Sequence, residues 1–358
     1  MALALLSALL PALLLASCAG QPSRPSPIVA PGDGLATTLI AEAFVTGAPA
    51  GAEVDSLATW VSPEDEVRVI ASAKYTGNLL VYDGISGELL PEVMPIGTLA
   101  YPNGVAVYGD AVFVVERDRA QVRVFDLPEF TARGEFGAGQ LIWPYGIWLH
   151  ERAPDEIEVF VTDSYQDGGE LPALSALGQR IRRFRVQLTE QGIAAWSLPG
   201  FGSTEPGGAL HWVESIAGDV AFDRLLIAEE HPDHREAGAA IYDFAGHYTG
   251  RRLGIGLTQG DQEGIALYEC PSGNGFWLTT DQGREINRFH VFDRASLAYL
   301  GSFSGEVTRN TDGIALHSAA SARFPYGVLY TANDDRGISA FDWRDIAAAL
   351  NLWLDCPE

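Results

Sequence analysis

Glu263-Gly264-Ile265-Ala266-Leu267 returns 49 residues later as Asp312-Gly313-Ile314-Ala315-Leu316. Looser copies of the phrase lie upstream: Asp55-Ser56-Leu57-Ala58-Thr59, Asn103-Gly104-Val105-Ala106-Val107, Tyr145-Gly146-Ile147-Trp148-Leu149 and Glu214-Ser215-Ile216-Ala217-Gly218. The six copies start 48, 42, 69, 49 and 49 residues apart. A repeat of this length built from short strands points to a propeller. Equivalent positions on every blade face one axis, so the first residue of each phrase converges on a common point.

A second pattern runs out of phase with the first. Leu79-Leu80-Val81-Tyr82-Asp83, Val122-Arg123-Val124-Phe125-Asp126, Ala240-Ile241-Tyr242-Asp243, His290-Val291-Phe292-Asp293 and Ile338-Ser339-Ala340-Phe341-Asp342 are apolar or aromatic runs ended by a turn former. Each reads as a strand entering a hairpin. Between the two patterns sits another apolar run, such as Val112-Phe113-Val114-Val115 or Leu225-Leu226-Ile227-Ala228. The expected unit is a four-stranded blade, and the expected fold an all-β, six-bladed propeller.

After Asp342 the spacing turns helical, from Ile346 to Leu354, so the last unit lacks a fourth strand and a short C-terminal helix is expected. The segment from Thr38 to Val45 is expected to supply the missing strand, because a closed ring leaves no open sheet edge. The longest interval implies an insertion around residues 166–179, read as a surface loop near the mouth of the channel.

Residues 3–16 are almost wholly apolar and too short for a spanning helix. They read as the core of a signal peptide over residues 1–17. Leu15-Ala16-Ser17-Cys18 resembles a bacterial lipobox, with Cys18 the lipidated residue; the alternative is an ordinary secretory signal. No Lys or Arg precedes Cys18, and Ala19 follows it. The expectation is a lipid-anchored, extracytoplasmic protein at the outer membrane, or facing the periplasm, of a Gram-negative cell. Residues 18–35, rich in Pro, Ser and Gly, read as a flexible tether, and residues 36–358 as one propeller domain. The remaining cysteines, Cys270 and Cys356, form either a disulfide or two thiols. The net charge of −24 excludes a basic footprint for nucleic acid. The expected form is a monomer.

At the convergent slot stand Asp55, Asn103, Tyr145, Glu214, Glu263 and Asp312. Four carboxylates near one axis repel one another unless a cation sits among them. Calcium suits such a set, since it takes six to eight oxygen ligands in loose geometry. With no clear His or Cys ligand cluster, zinc or copper is not expected. Taken singly, each residue could instead cap a strand by bonding a neighbouring backbone amide.

The residues also resemble the β-propeller phytases. Asn310-Thr311-Asp312-Gly313-Ile314, Arg323-Phe324-Pro325-Tyr326-Gly327-Val328 and Thr331-Ala332-Asn333-Asp334 are similar to that family's last blade. Gln262-Glu263-Gly264 with Thr280-Asp281-Gln282-Gly283 resembles its fifth blade, Glu214 with Ile227-Ala228-Glu229-Glu230 its fourth, and Trp143-Pro144-Tyr145-Gly146 its third. Trp343-Arg344-Asp345-Ile346-Ala347 resembles its C-terminal motif, and the likeness covers about residues 50 to 350.

The resemblance implies a calcium-dependent phosphomonoester hydrolase, a 3-phytase-like phosphatase whose small phosphorylated substrate is an inositol phosphate or related ester. It implies Asp55, Glu214, Glu263, Gln282 and Asp312 as calcium ligands or their near neighbours. Lys74, Tyr145, Glu214 and Glu229 would be the catalytic set. Lys74, Tyr145, Arg117 and Arg119 would contact substrate. Two departures stand out. The first blade reads Glu53-Val54-Asp55-Ser56-Leu57-Ala58-Thr59-Trp60, one carboxylate short of the family pattern. The chain has a single lysine, Lys74, and Ser164 stands where the family's third blade carries a lysine. A non-catalytic phytase-like binding module and a calcium-dependent lactonase, for which Asn103 could serve on the axis, are the alternatives.

Overall fold

The apolar runs fold as strands wound into six blades. The computed structural model describes residues 27–29, 35–270 and 272–354. Blade 1 is Val54–Val61, Val67–Ala73 and Asn78–Asp83. Blade 2 is Pro102–Tyr108, Ala111–Glu116, Gln121–Asp126 and Thr131–Phe136. Blade 3 is Pro144–Ala153, Glu156–Asp163, Ile181–Thr189 and Gly192–Phe201. Blade 4 is Val213–Asp219, Arg224–Glu229, Ala239–Tyr242 and Tyr248–Leu253. Blade 5 is Asp261–Glu269, Gly275–Gln282, Arg288–Asp293 and Tyr299–Gly305. Blade 6 is Ile314–His317, Val328–Ala332 and Gly337–Asp342, with Phe44–Gly47 as its fourth strand.

The strands named for each blade pair antiparallel, and the first strand of each lies against the first strands of its two neighbours around the axis. The core is accordingly divided into six wedges, one at each junction between blades. Strand residues alternate between faces, so Leu225 and Ile227 pack towards blade 3 while Leu226 and Ala228 pack towards blade 5. That is why the second strands read as continuous apolar runs: both faces are buried.

Blade 1 departs from the expected four strands. Its outer edge is a single bridge, Tyr82 opposite Leu89, with the Leu90 amide donating to the Val81 carbonyl at 2.8 Å. Pro91 follows and has no N–H with which to extend the ladder.

Closure also differs in detail. Phe44–Gly47 pairs antiparallel with the third strand of blade 6, Thr46 opposite Ile338, which completes the last blade from the N-terminal side. Thr38 belongs to another strand, Ala36–Ile40, which runs parallel to Tyr299–Gly305 as a fifth strand of blade 5. Pro27–Val29, within the segment expected as a tether, pairs with Ala36–Ile40. Residues 1–26, with Cys18, lie outside the described residues. No helix among the described residues is long and apolar enough to cross a membrane.

The C-terminal helix spans Trp343–Leu350, beginning before the apolar spacing suggests. The Asp342 carboxylate accepts from the Arg344 amide and caps it, and Asn351 ends it in the left-handed conformation. Trp343 stacks on Tyr268 with ring centroids 4.1 Å apart. Cys270, 1% exposed, is disulfide-bonded; Cys356 lies outside the described residues.

Candidate metal centre

Each of the five longer first strands is irregular in register just after its start, between Val54 and Leu57, Pro102 and Val105, Pro144 and Ile147, Val213 and Ile216, and Gln262 and Ile265. Such bulges re-aim side chains next to active sites. The residue inside each irregularity is the slot residue, followed by Ser56, Gly104, Gly146, Ser215 or Gly264. The small residue is required by the approach of the neighbouring blade. A Cβ on Gly146 would sit 2.4 Å from the Glu214 carbonyl oxygen, and one on Gly313, in blade 6, 2.6 Å from that of Asp55. The six first strands enclose a channel of about 410 Å³, lined by the residues that follow the slots.

The ladders define a second ring. The residues preceding the slots pair with Ala73, Glu116, Asp163, Glu229 and Asp281, and the register of blade 6 puts Asn333 in the same place. Apart from Ala73, these residues brace the loop entering their own blade. Asp163 accepts from the Trp143 amide at 2.7 Å, Asp281 from Gly260 at 2.7 Å, Asn333 from Arg309 at 3.0 Å and Glu116 from Ala100 at 2.9 Å. Glu229 accepts from the His211 and Trp212 amides at 2.8 and 2.9 Å, and contacts the His211 Nδ1 at 3.0 Å. In blades 1 to 5 the next residue, Lys74, Arg117, Ser164, Glu230 or Gln282, points the other way. In blade 6 two left-handed residues follow, Asp334 and Asp335, and it is Asp335 whose charge and hydrogen bond act on Asp312.

Glu214, Glu230 and Glu263 each bring one carboxylate oxygen to within 4.8 Å of the others. Two oxygens on one calcium at about 2.4 Å can be no farther apart than about twice that distance. The set is all oxygen and all acidic, so these three residues can hold a hard divalent cation. Burial, then Glu230 and Glu263, pushes the Glu214 carboxyl well above the usual range. Burial and then Glu230 do the same to Glu263, and burial and then Asp55 to Asp312. Glu230 is pushed up to about 7, by burial first and Asp261 second. These carboxylates are thus crowded in a way that a bound cation would relieve.

Lys74 is the cation already present. Its Nζ lies 2.7 Å from the Asp55 Oδ1. Burial pulls the ammonium down, but Asp55, Asp312 and Glu214 outweigh it and raise the pKa. The Gln282 Nε2 donates to the Asp312 Oδ1 at 2.8 Å. Tyr145 accepts from the Trp143 Nε1 at 3.2 Å, and burial followed by Glu214 pushes its hydroxyl up to about 12. Asn103 is 1% exposed, with both amide atoms buried and unpartnered. Of the expected residues, therefore, Asp55, Lys74, Tyr145, Glu214, Glu263, Gln282 and Asp312 gather at the mouth.

Two of the expected residues are placed differently from the sequence reading, Glu229 and Arg119. Glu229 is turned into its brace, and Glu230 is the residue that joins the acidic cluster. Arg119 donates to the Glu116 Oε1 at 2.5 Å, tied to a brace. Arg117 stays near Tyr145, its guanidinium 3.5 Å from the Tyr101 ring centroid and 4.6 Å from that of Trp143. Gln166, the first residue of the expected insertion, lines a small cavity beside Tyr145 and Glu230. One constellation imitates a hydrolase triad: the His290 Nδ1 lies 2.6 Å from the Ser302 Oγ, and its Nε2 3.6 Å from the Asp281 Oδ2. All three residues are 1% exposed, so no substrate reaches them.

The sequence model of the phytase family matches residues 211–345, which begin just before blade 4 and run into the C-terminal helix. The 3-phytase of Bacillus subtilis (strain 168) is 30% identical over 141 residues, 35% of this chain and 34% of that protein. The match therefore spans about a third of the relative's length. Among solved structures, a catalytically inactive virginiamycin B lyase from Staphylococcus aureus with quinupristin aligns over 81% of each chain at 13% identity and a TM-score of 0.45. The hydrazine synthase of Kuenenia stuttgartiensis aligns over 86% of this chain and 82% of its own at 12% identity and 0.49. A nidogen/laminin complex aligns over 74% of this chain and 85% of its own at 15% identity and 0.49. Over blades 4 to 6, which carry Glu214, Glu230, Glu263 and Asp312, the chain thus matches the phytase family, with a 3-phytase as a distant homologue.

Proposed function

We propose that the chain is a calcium-dependent phosphomonoester hydrolase of the 3-phytase kind, acting on an inositol phosphate or a related ester. The observation that supports this most directly is the cluster of Glu214, Glu230 and Glu263, inside the region that matches the family. These three carboxylates would hold the ion, with Asp55, Asp312 and Gln282 beside them. Calcium, when bound, supplies positive charge for phosphate oxygens and lowers the pKa of a water.

The chain's own residues do the rest. Lys74, kept charged by Asp55, Asp312 and Glu214, offers N–H donors to a phosphate oxygen. Tyr145 stays protonated at neutral pH and offers an O–H. Asp55 fixes the position of Lys74, and Gln282 that of Asp312. Phosphate release from phytate and from simpler esters, with and without a calcium chelator, tests the proposal; no release from any ester at any calcium level would overturn it.

A second reading is a calcium-binding propeller without turnover. It is favoured by the Lys74–Asp55 ion pair, which occupies the single lysine. Calcium binding with no ester hydrolysed would support it, and chelator-sensitive turnover would exclude it. In either reading the protein would act outside the cytoplasm, lipid-anchored through Cys18; Cys18→Ser should then release it from the membrane fraction.

A further inference from the structure

In blades 1 to 5 the residue before the slot is paired within its own blade: Val54 with Ala73, Pro102 with Glu116, Pro144 with Asp163, Val213 with Glu229 and Gln262 with Asp281. Blade 6 lacks this pairing. Its first strand begins only at Ile314, and its ladder with Ile314 opposite Thr331. Thr311 and the slot residue Asp312 precede that strand. Asp312 is nevertheless built into the ring. Its carbonyl accepts from the Gly264 amide, next to Glu263, at 2.8 Å, and the following Gly313 amide donates to the Asp55 carbonyl at 2.9 Å.

Support for this segment comes from blade 5. Asn287 ends the hairpin between the second and third strands of that blade, one residue before Arg288–Asp293. Its side chain is buried, and its Oδ1 accepts from the Thr311 amide at 2.9 Å and from the Gly283 amide at 3.4 Å. One oxygen thus joins the residue after Gln282 to the residue before Asp312. The Gly283 carbonyl adds a second tie, accepting from the Asn310 amide at 2.9 Å. With both chains held, the Gln282 Nε2 meets the Asp312 Oδ1 at 2.8 Å. The Asn287 Nδ2 has no hydrogen-bond partner among the described residues, so it is the acceptor that the position uses. Removing that acceptor strands the Thr311 amide in a buried place, which favours movement of the segment towards water.

We infer that Asn287 is a positioning residue for the metal centre: its Oδ1 takes the place of the missing ladder in blade 6 and holds Asp312 against Gln282, beside Glu263 and Asp55. The inference rests on the calcium reading for its consequence, which is ion affinity. The hold on Thr311 and Asp312 is measurable without any ion.

The test is a calorimetric calcium titration of the full chain. Asn287→Ala should weaken calcium binding about ten-fold or more, the scale of a residue that orients a metal ligand. Asn287→Leu fills a similar volume without an acceptor and should lose as much; it carries the test if the alanine variant does not fold. Asn287→Asp keeps the acceptor oxygen and should restore most of the affinity. In an Asp312→Asn background, Asn287→Leu should cost little further, because its route to the ion is gone. Unchanged affinity in Asn287→Leu, or an equal loss in the Asp312→Asn background, would overturn the inference. Hydrogen exchange of the calcium-free protein gives the second measurement. The Thr311 amide should be protected in the parent and in Asn287→Asp, and should exchange faster in Asn287→Leu. If the parent binds no calcium, the calcium reading fails by itself, and exchange still decides whether Asn287 holds Asp312: equal protection of Thr311 in the parent and in Asn287→Leu would show that it does not.

Discussion

Glu229 and Glu230 are neighbours in sequence with opposite surroundings. Glu229 holds two loop amides, whereas Glu230 shares the acidic cluster. Glu229→Ala should destabilise the fold by about 2 kcal/mol or more, since it strands two buried amides; thermal unfolding reads this. Glu230→Gln should leave the melting temperature of the calcium-free protein unchanged or raised, and weaken calcium binding about ten-fold or more in a titration. The pair was not separable by sequence, because strand alternation fixes the relation between neighbours but not its phase. The ladder Val213 opposite Glu229 supplies the phase. The pH dependence follows from the same residue. The Glu230 pKa is raised from 4.5 to about 7, so between those values the folded, calcium-free protein keeps a proton that the unfolded chain gives up. Unfolding then releases protons, and stability falls as pH rises through that window. The melting temperature of the calcium-free protein should drop between about pH 5 and 7.5, with calcium abolishing the drop, and calcium binding near pH 7 should release protons, seen as a buffer-dependent heat.

The first strand of each blade is where sequence and structure agree most closely. Its phrase combines a slot residue, a small residue and apolar positions of alternating face, and each part has a physical reason. The small residue exists because the next blade's carbonyl lies against it: Gly104 faces the Tyr145 carbonyl, Gly146 that of Glu214, Gly264 that of Asp312 and Gly313 that of Asp55. The register irregularity directs the slot side chain to the mouth. Gly146→Ala and Gly313→Ala should therefore each cost about 1–3 kcal/mol by overpacking. They should also weaken calcium binding, because the strand carrying Glu214 or Asp55 is displaced. Ser56 and Ser215 occupy the same position in blades 1 and 4, so Ser56→Gly and Ser215→Gly should be mild by comparison. Equal unfolding temperatures for the alanine variants and the parent would refute the close-approach explanation. The second ring, in contrast, was legible only in fragments, as Lys74 and Gln282. Its members share no residue type, and Lys74, Arg117, Ser164, Glu230 and Gln282 become a set only through strand pairing.

At the scale of the whole molecule the ring is closed by a strand from the other end of the chain. The apolar run near residue 40 announced such a strand, but two strands lie there, and composition does not separate them. Ala36–Ile40 joins blade 5 in parallel, outside a sheet that already has four strands. Phe44–Gly47 completes blade 6, where the helix after Asp342 leaves the third strand without an outer partner. Between them, the Glu42 Oε1 accepts from the Val307 and Thr308 amides at 3.0 and 2.8 Å and fastens the crossing. The two strands should therefore differ in consequence. A chain lacking residues 1–41 keeps Glu42 and the closing strand, and should remain soluble and cooperative in unfolding. A chain lacking residues 1–48 exposes Gly337–Asp342 as an open edge, which invites pairing with other chains. It should aggregate or unfold at markedly lower temperature, and it should lose calcium affinity as well, because blade 6 holds Asp312 against Asp55 and Lys74 across the closure. Comparison of the two truncations by size-exclusion chromatography and thermal unfolding decides the matter, and equal behaviour would mean that the closing strand does not hold the ring together.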